Sequence, residues 1–267
     1  VVGAYLETTT SYLWNFETGF PSGWTTIDAD GDGYNWVLGS QSGGVYYSSG
    51  FNLTGYGHNG SSDLICSGSW TNVTSTILYP DNYLVSPPLT ISANSTFSFW
   101  ACAQDPNYAS DHFGVFVSTN GTNNWSMLAE WTLSAKGSDE MSVGRNNEAY
   151  RQGTWRQYSV NLGNYAGTGR YIAIRHFNCS NQFLVCVDDM VLSNSTQTYN
   201  VSVSANPTSG GTVSGGGSYQ QGQSCTVHAT PASGYTFLRW TENGSQVSVN
   251  TNYTFTVTSN RNLVAQF

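Results

Sequence analysis

Apolar and polar side chains alternate with a period of two through most of the chain beyond residue 95. The runs 96–102 (TFSFWAC) and 112–118 (HFGVFVS) place every second side chain on one face, as core strands do. Segments 125–133, 155–162, 171–177 and 183–192 read the same way, with Asn120-Gly121 and the glycines of 167–169 as turns between some of them. Upstream, 14–18 (WNFET) predicts a short strand before the turn 20–24 (FPSGW). Residues 81–89 (DNYLVSPPL) lead into a strand that the prolines at 87 and 88 stop or force to an edge. Residues 37–70 are rich in Gly, Ser and Tyr and predict short strands at best, and no segment predicts a helix of ten or more residues. Many strands at short spacing, joined by Gly and Asn turns, predict an all-β sandwich.

The same pattern divides the chain. Of the 16 acidic residues, only Glu242 lies beyond the polar run 193–198 (SNSTQT), which reads as a short linker. Residues 199–267 hold Gly-rich hairpins and strands at 226–230, 235–241, 253–258 and 263–267, the makings of a second, small β domain. Residues 1–13 alternate only loosely. They suit an edge strand, a linker, or a strand exchanged with another subunit. The expected organisation is an N-terminal segment 1–13, a sandwich 14–193 and a small domain 199–267.

One stretch carries candidate chemistry. In 25–36 (TTIDADGDGYNW), Asp28, Asp30 and Asp32 alternate with small residues, Gly33 follows at once, and Tyr34 is the next candidate ligand. Carboxylates that converge in a tight loop repel one another unless a hard cation sits among them. The first six positions follow the start of an EF-hand loop, D-x-[DN]-x-[DN]-G. The match ends there, because Gly39 stands where a bidentate Glu belongs and no amphipathic helix flanks the loop. A structural calcium loop in a β protein is the expectation, and a polar Asp/Gly turn without an ion is the alternative.

Composition narrows the class. Charged residues make up 9% of the chain, far below the usual roughly 25%, so Ser, Thr, Asn and Gly must provide solubility. The net charge of −8 argues against nucleic acid and anionic membranes as partners. No run of 18 apolar residues is present, which argues against membrane insertion. Aromatics at 14% suit half-buried strands and surfaces that contact sugars or proteins. The first residue is Val1, as in a processed mature chain or a trimmed one.

Five cysteines, Cys66, Cys102, Cys179, Cys186 and Cys225, form no C-x-x-C pair, which argues against a zinc site. In an oxidising compartment four of them would pair and leave one, most simply Cys225. Cys179 and Cys186 would then face each other across a hairpin, with Cys66 and Cys102 the other two candidates; free buried thiols are the alternative. Eleven N-x-[ST] sequons begin at Asn52, Asn59, Asn72, Asn94, Asn120, Asn124, Asn178, Asn194, Asn200, Asn243 and Asn252. They are candidate glycosylation sites in a host that performs the reaction.

Two resemblances follow from longer stretches. The order FETGFPSGWTTIDADGDGYNW, GHNGSSDLICSGSW, LYPDNYLVSPPL, SDHFGVFVS and RYIAIRHFNCSNQFLVCVDDMVL resembles the cleaved-adhesin (choice-of-anchor) domain over roughly 13–193. That family includes the haemagglutinin/adhesin domains of gingipain proteases. The resemblance implies a jelly-roll β-sandwich that binds calcium and acts in adhesion outside the cell. It also implies that Asp28, Asp30 and Asp32 are the family's acidic loop, Glu17 the acid of the first strand, and Asp188 and Asp189 the acidic pair of the last strand. Terminal strands lie side by side in such sandwiches, so Glu17 and one of Asp188 and Asp189 would share a cation. Strand-end solvation is the plainer reading of that pair. Asp111-His112 also matches, with His112 read as a strand-edge hydrogen-bonding residue. The second stretch, GGTVSGGGSYQQGQSCTVHATPASGYTFLRW and then YTFTVTSNRNLVAQF, resembles a divergent InlB B-repeat (internalin-type) domain over about 199–267.

Catalytic signatures are missing. The chain has no G-x-S-x-G, no H-E-x-x-H and no P-loop, and His58, His112, His176 and His228 are scattered along it. No cysteine stands near a histidine in a recognisable protease arrangement. The leading expectation is a non-enzymatic, extracellular, calcium-stabilised adhesin or surface structural protein. Its partner would be a cell-surface or matrix protein or a glycan. The alternatives are a self-assembling filament subunit that binds copies of itself by strand addition, and a carbohydrate-binding module of a secreted protein.

Overall fold

A computed structural model of the protein describes residues 7–105, 107–134 and 153–267, with the side chains of 7–10 and 196 outside the description. The chain forms two compact units, Thr10–Asn194 and Ser195–Phe267, the latter together with residues up to Thr9.

The larger unit is a sandwich of two antiparallel sheets. One sheet runs Arg156–Asn161, Thr96–Ala103, Leu184–Asn206, Ile65–Gly68 and Val37–Leu38; the strand Leu184–Asn206 crosses the unit boundary. The other runs Ser126–Thr132, His112–Ser118, Gly167–His176, Asn82–Val85 and Thr25–Asp28. Alternation sets the inner faces. Phe97, Phe99 and Ala101 point inward from one sheet and Phe113 and Val115 from the other, and they meet Ile172, Ile174, Val185 and Val187 in one core. A second cluster, built on Tyr46, Tyr47, Leu53, Leu64 and Phe183, packs with Cys66, Cys102 and Cys186. The 37–70 stretch that feeds it holds strands of two to four residues, such as Val37–Leu38 and Ile65–Gly68, as its composition predicts. Among the described residues the helices are three-residue 3-10 turns.

Three local expectations change. The 14–18 strand is a turn, because the strand Glu7–Trp14 ends there and Gly19 closes a bend onto the carbonyl of Phe16 with φ +102°. That strand pairs with Leu184–Asn206 of its own chain. The polar run 193–198 does not loop out. It continues the strand Leu184–Asn206, with ladder partners at both of its ends, Ser193 opposite Thr96 and Thr198 opposite Gln220. The expected strand 235–241 shrinks to Arg239–Glu242. Segment 81–89 is cut at the prolines into Asn82–Val85 and Leu89–Ile91.

In the smaller unit, Val201, Cys225, Val227, Ala229, Trp240, Leu263 and Ala265 make a separate core. Val201–Asn206 pairs in parallel with Arg261–Gln266, which pairs with Arg239–Glu242 in turn. Arg261 clamps Glu242 and lies over Phe255 at 4.3 Å, joining an ion pair to the apolar face.

Candidate functional site

The acidic loop begins where the strand Thr25–Asp28 ends. The Asp28 carboxylate accepts the Gly31 amide at 2.7 Å and the Gly33 amide at 3.0 Å. Both glycines hold positive φ, +72° and +84°, which bends the chain back over the carboxylate. Asp32 accepts the Tyr34 amide at 2.8 Å. The local turns leave Asp28, Asp30 and Asp32 with one oxygen each inside a sphere of 4.8 Å. Burial, a hydrogen bond shared with Asp28 and the charge of Asp32 push the Asp30 carboxyl up to about 6. Burial also raises Asp32. At Asp28 burial works in the same direction, but the Asp30 hydrogen bond and the loop amides outweigh it and hold the group low. Crowded, all-oxygen and short of positive charge, the donor set fits a hard cation such as calcium and does not suit a soft one.

Glu17, Asp188 and Asp189 gather elsewhere, on the turn around His58–Gly60. Glu17 accepts the Ser62 amide at 3.0 Å and the Ser62 hydroxyl. Asp188 is buried and accepts the His58 amide at 2.9 Å and the Ser61 hydroxyl at 2.6 Å. Asp189 meets His58 Nδ1 at 2.9 Å. The strand register shifts between Asp188 and Val191, and Asp189 has φ +46°; this bulge sends the two adjacent carboxylates to different partners. Glu17 and Asp188 therefore sit on neighbouring serines, their oxygens committed to amides and hydroxyls. Neither joins the Asp28–Asp32 donor set.

Sequence reading did not find two further places. The first is a cleft of about 560 Å³ in the larger unit. Tyr47, Phe51, Trp70, Tyr108 and Phe183 line it, with Asn72, Gln104, Asp105, Asn181 and Gln182 among them. Phe183 meets Tyr47 edge-on at 5.2 Å and Trp70 at 5.6 Å, so the walls brace one another. Gln104 is buried, and its carbonyl oxygen has no partner among the described residues. These residues come from four separate segments, and only the high aromatic content hints at them.

The second brings together Asp111, His176 and Cys179. Cys179 Sγ lies 3.1 Å from His176 Nε2, so one cysteine does stand beside a histidine after all. It is not a protease arrangement. Asp111 meets the same Nε2 at 3.1 Å, whereas a catalytic orienter binds the far nitrogen. Burial and the Asp111 charge push the Cys179 thiol up, away from the thiolate. The visible signal was the H-x-x-C spacing of 176–179.

All five cysteines are free thiols. Cys186 lies opposite Cys66 on one side and Cys102 on the other, three thiols on one rung of the sheet, and Cys179 sits instead with His176. His112 bonds Thr132 and Glu130 across the strand edge. Of the sequon asparagines, Asn59, Asn94, Asn120, Asn124, Asn178, Asn200, Asn243 and Asn252 are exposed, while Asn52, Asn72 and Asn194 are half-buried.

Residues 9–192 match the Cleaved Adhesin Domain model and residues 201–267 the Divergent InlB B-repeat domain model. The first match alone spans well over half of the chain. This chain belongs to the Cleaved Adhesin Domain family. Gingipain R1 of Porphyromonas gingivalis is 39% identical over 195 residues, and Hemagglutinin A of the same species 42% over 186. These matches cover 68% and 67% of the chain, which spans only 10% and 6% of the length of those relatives. Among solved structures, the K1 and K3 Cleaved Adhesin domains of Lys-gingipain from P. gingivalis W83 are each 35% identical with a TM-score of 0.54. They align over 68% and 70% of this chain and 97% and 99% of their own. As a Cleaved Adhesin Domain member the chain resembles the adhesin domains of the gingipains. Among the described residues no helix is long and apolar enough to cross a membrane.

Proposed function

We propose that this protein is a non-enzymatic extracellular adhesin module that holds a glycan or an exposed protein segment in the aromatic cleft. The carrying observation is the cleft itself: five aromatic walls, planar amides at the rim and one buried carbonyl oxygen without a partner among the described residues. Aromatic faces stack on sugar rings or peptide side chains at low entropic cost, and amides satisfy hydroxyl or backbone groups. Calcium on Asp28, Asp30 and Asp32 would supply the charge that the loop lacks and hold it in shape. It performs no chemistry there. The absence of a catalytic motif and the unactivated Cys179 thiol support a binding role.

A test is binding of the full chain to a glycan array and to immobilised cell-surface proteins. Binding by the parent that falls at least tenfold in Tyr108→Ala, an exposed cleft residue, supports the reading. Equal binding by parent and variant overturns it. A second reading, a filament subunit joined by strand addition, is favoured by one observation. The strand Glu7–Trp14 already pairs with Leu184–Asn206, and a neighbouring copy's segment would make the same backbone bonds. Polymers that persist after deletion of residues 1–13 would refute that version.

A further inference from the structure

His176 and Cys179 stand three residues apart, Asp111 comes from a distant segment of the larger unit, and each offers a different metal-ligating atom. Their separations are 3.1 Å for Nε2 to Sγ, 3.1 Å for Nε2 to Oδ1 and 3.6 Å for Sγ to Oδ1. A tetrahedral zinc ion with bonds of about 2.0 Å to N and O and about 2.3 Å to S sets its ligands roughly 3.3–3.6 Å apart. The apo triangle is thus within a few tenths of an ångström of a loaded one. We propose that Asp111, His176 and Cys179 form a binding site for a thiophilic divalent transition-metal ion, zinc by donor type, with a fourth position open to the cleft beside Cys179.

Three independent features support it. First, Asp111 is fully buried, and its Oδ2 has no partner among the described residues. A buried carboxylate with an unused oxygen is costly, and a cation held through both carboxylate oxygens would complete it. Second, the histidine is already aimed. His176 is fully buried with Nδ1 at 2.9 Å from Ser67 Oγ, which also accepts the Asn82 side-chain amide at 3.2 Å. That contact fixes the ring and presents Nε2 to the other donors, as outer partners of metal-binding histidines do. Ser69 Oγ donates to Asp111 Oδ1 at 2.6 Å and fixes the carboxylate likewise. Third, there is a route in. Cys179 is only partly buried and lines a cavity of about 400 Å³ with Tyr79, Asp81, Arg175, Phe177 and Ser180. Arg175 is tied to Asp81 at 2.6 and 2.8 Å, so its charge is compensated and does not repel an entering cation.

Sulfur and imidazole select against calcium and magnesium, which separates this site from the acidic loop. On loading, the Cys179 S–H bond breaks, the thiolate binds the metal and the proton leaves to solvent. Thiolate, carboxylate and dication then sum to zero charge, which suits a buried place. The fourth position is left for water or for a side chain of a binding partner.

The test uses the full chain, stripped with chelator and titrated with cobalt(II) as a spectroscopic probe. The expected result is a thiolate-to-cobalt charge-transfer band that saturates at one equivalent, is displaced by zinc and is untouched by excess calcium. Cys179→Ser should abolish the band with the fold intact by circular dichroism, and Asp30→Asn should leave it unchanged. Ser67→Ala should weaken zinc binding by about 10–100-fold, the range for a lost outer partner. A folded parent without the band, or a band that survives Cys179→Ser, overturns the proposal, and the cluster is then a hydrogen-bond network only.

Discussion

Asp30→Asn gives a sharp test of the acidic loop. In the metal-free protein the Asp30 carboxyl is pushed up to about 6, from an ordinary aspartate near 3.9. A carboxyl raised in the folded state contributes stability that is complete below its unfolded value and is lost as pH climbs through the folded one. The window is therefore roughly pH 4 to 6. Taken in full, the displacement is worth about 3 kcal/mol. Asp30 is exposed, and screening by solvent reduces this to about 1 kcal/mol. For a unit of this size that is about 2–4 °C in melting temperature. In EDTA at pH 7.5, Asp30→Asn should therefore melt about 2–4 °C above the parent, and at pH 4 the gap should close. Calcium at a hundred times its dissociation constant should stabilise the parent by about 2.7 kcal/mol, or about 5–10 °C, and reverse the order. Differential scanning calorimetry at both pH values, with chelator and with calcium, reads all four cases. The same melting order with and without calcium, or a parent that ignores both, would refute the reasoning.

Further outcomes follow from particular contacts. Gly57 has an ordinary φ of −67°, so Gly57→Ala acts by sterics: its Cβ would strike the Ser61 hydroxyl and come within 2.6 Å of the Asp63 carbonyl oxygen and 2.8 Å of Asp188. Overpacking of this kind costs about 1–3 kcal/mol, read as an earlier urea midpoint. Trp240 is fully buried in the smaller unit, and Trp240→Ala should cost about 3–5 kcal/mol in that unit's transition by near-ultraviolet circular dichroism. Native alkylation followed by mass spectrometry should add at most one group, slowly and at Cys179, because burial and Asp111 hold that thiol away from the thiolate and Cys66, Cys102, Cys186 and Cys225 are buried. Five groups should add after denaturation without reductant. Only three in that case would reveal a disulfide, with Cys186 and either Cys66 or Cys102 the neighbouring pair.

The fold was largely legible because burial imposes a period of two on each strand. Phe97, Phe99, Phe113 and Val115 alternate inward as written in the sequence. Strand ends were less legible. At 193–198 a polar run keeps its ladder, since backbone pairing does not depend on apolar side chains. The acidic loop was readable because Asp28, Asp30 and Asp32 are close in sequence and the turn that joins them is local. That Glu17 and Asp188 come close was also readable, and they sit on the neighbouring Ser62 and Ser61; which way Asp188 and Asp189 each turn was not, because the bulge at Asp189 sets it and a bulge leaves no fixed sequence mark. The aromatic cleft draws on four segments far apart in the chain, and Asp111 is as distant from the H-x-x-C pair His176 and Cys179, so spacing shows that pair but neither its third member nor the cleft until the sheets are built.

The central claim is that the aromatic cleft is the contact surface. Hydrogen–deuterium exchange on the full chain, with and without a glycan or protein recovered from the binding screen, tests it most directly. The account predicts protection confined to residues 47–51, 70–72, 104–108 and 181–183, and its loss in a Trp70→Ala and Tyr108→Ala double variant that remains folded. Protection on another face, with those four segments unchanged, would contradict it.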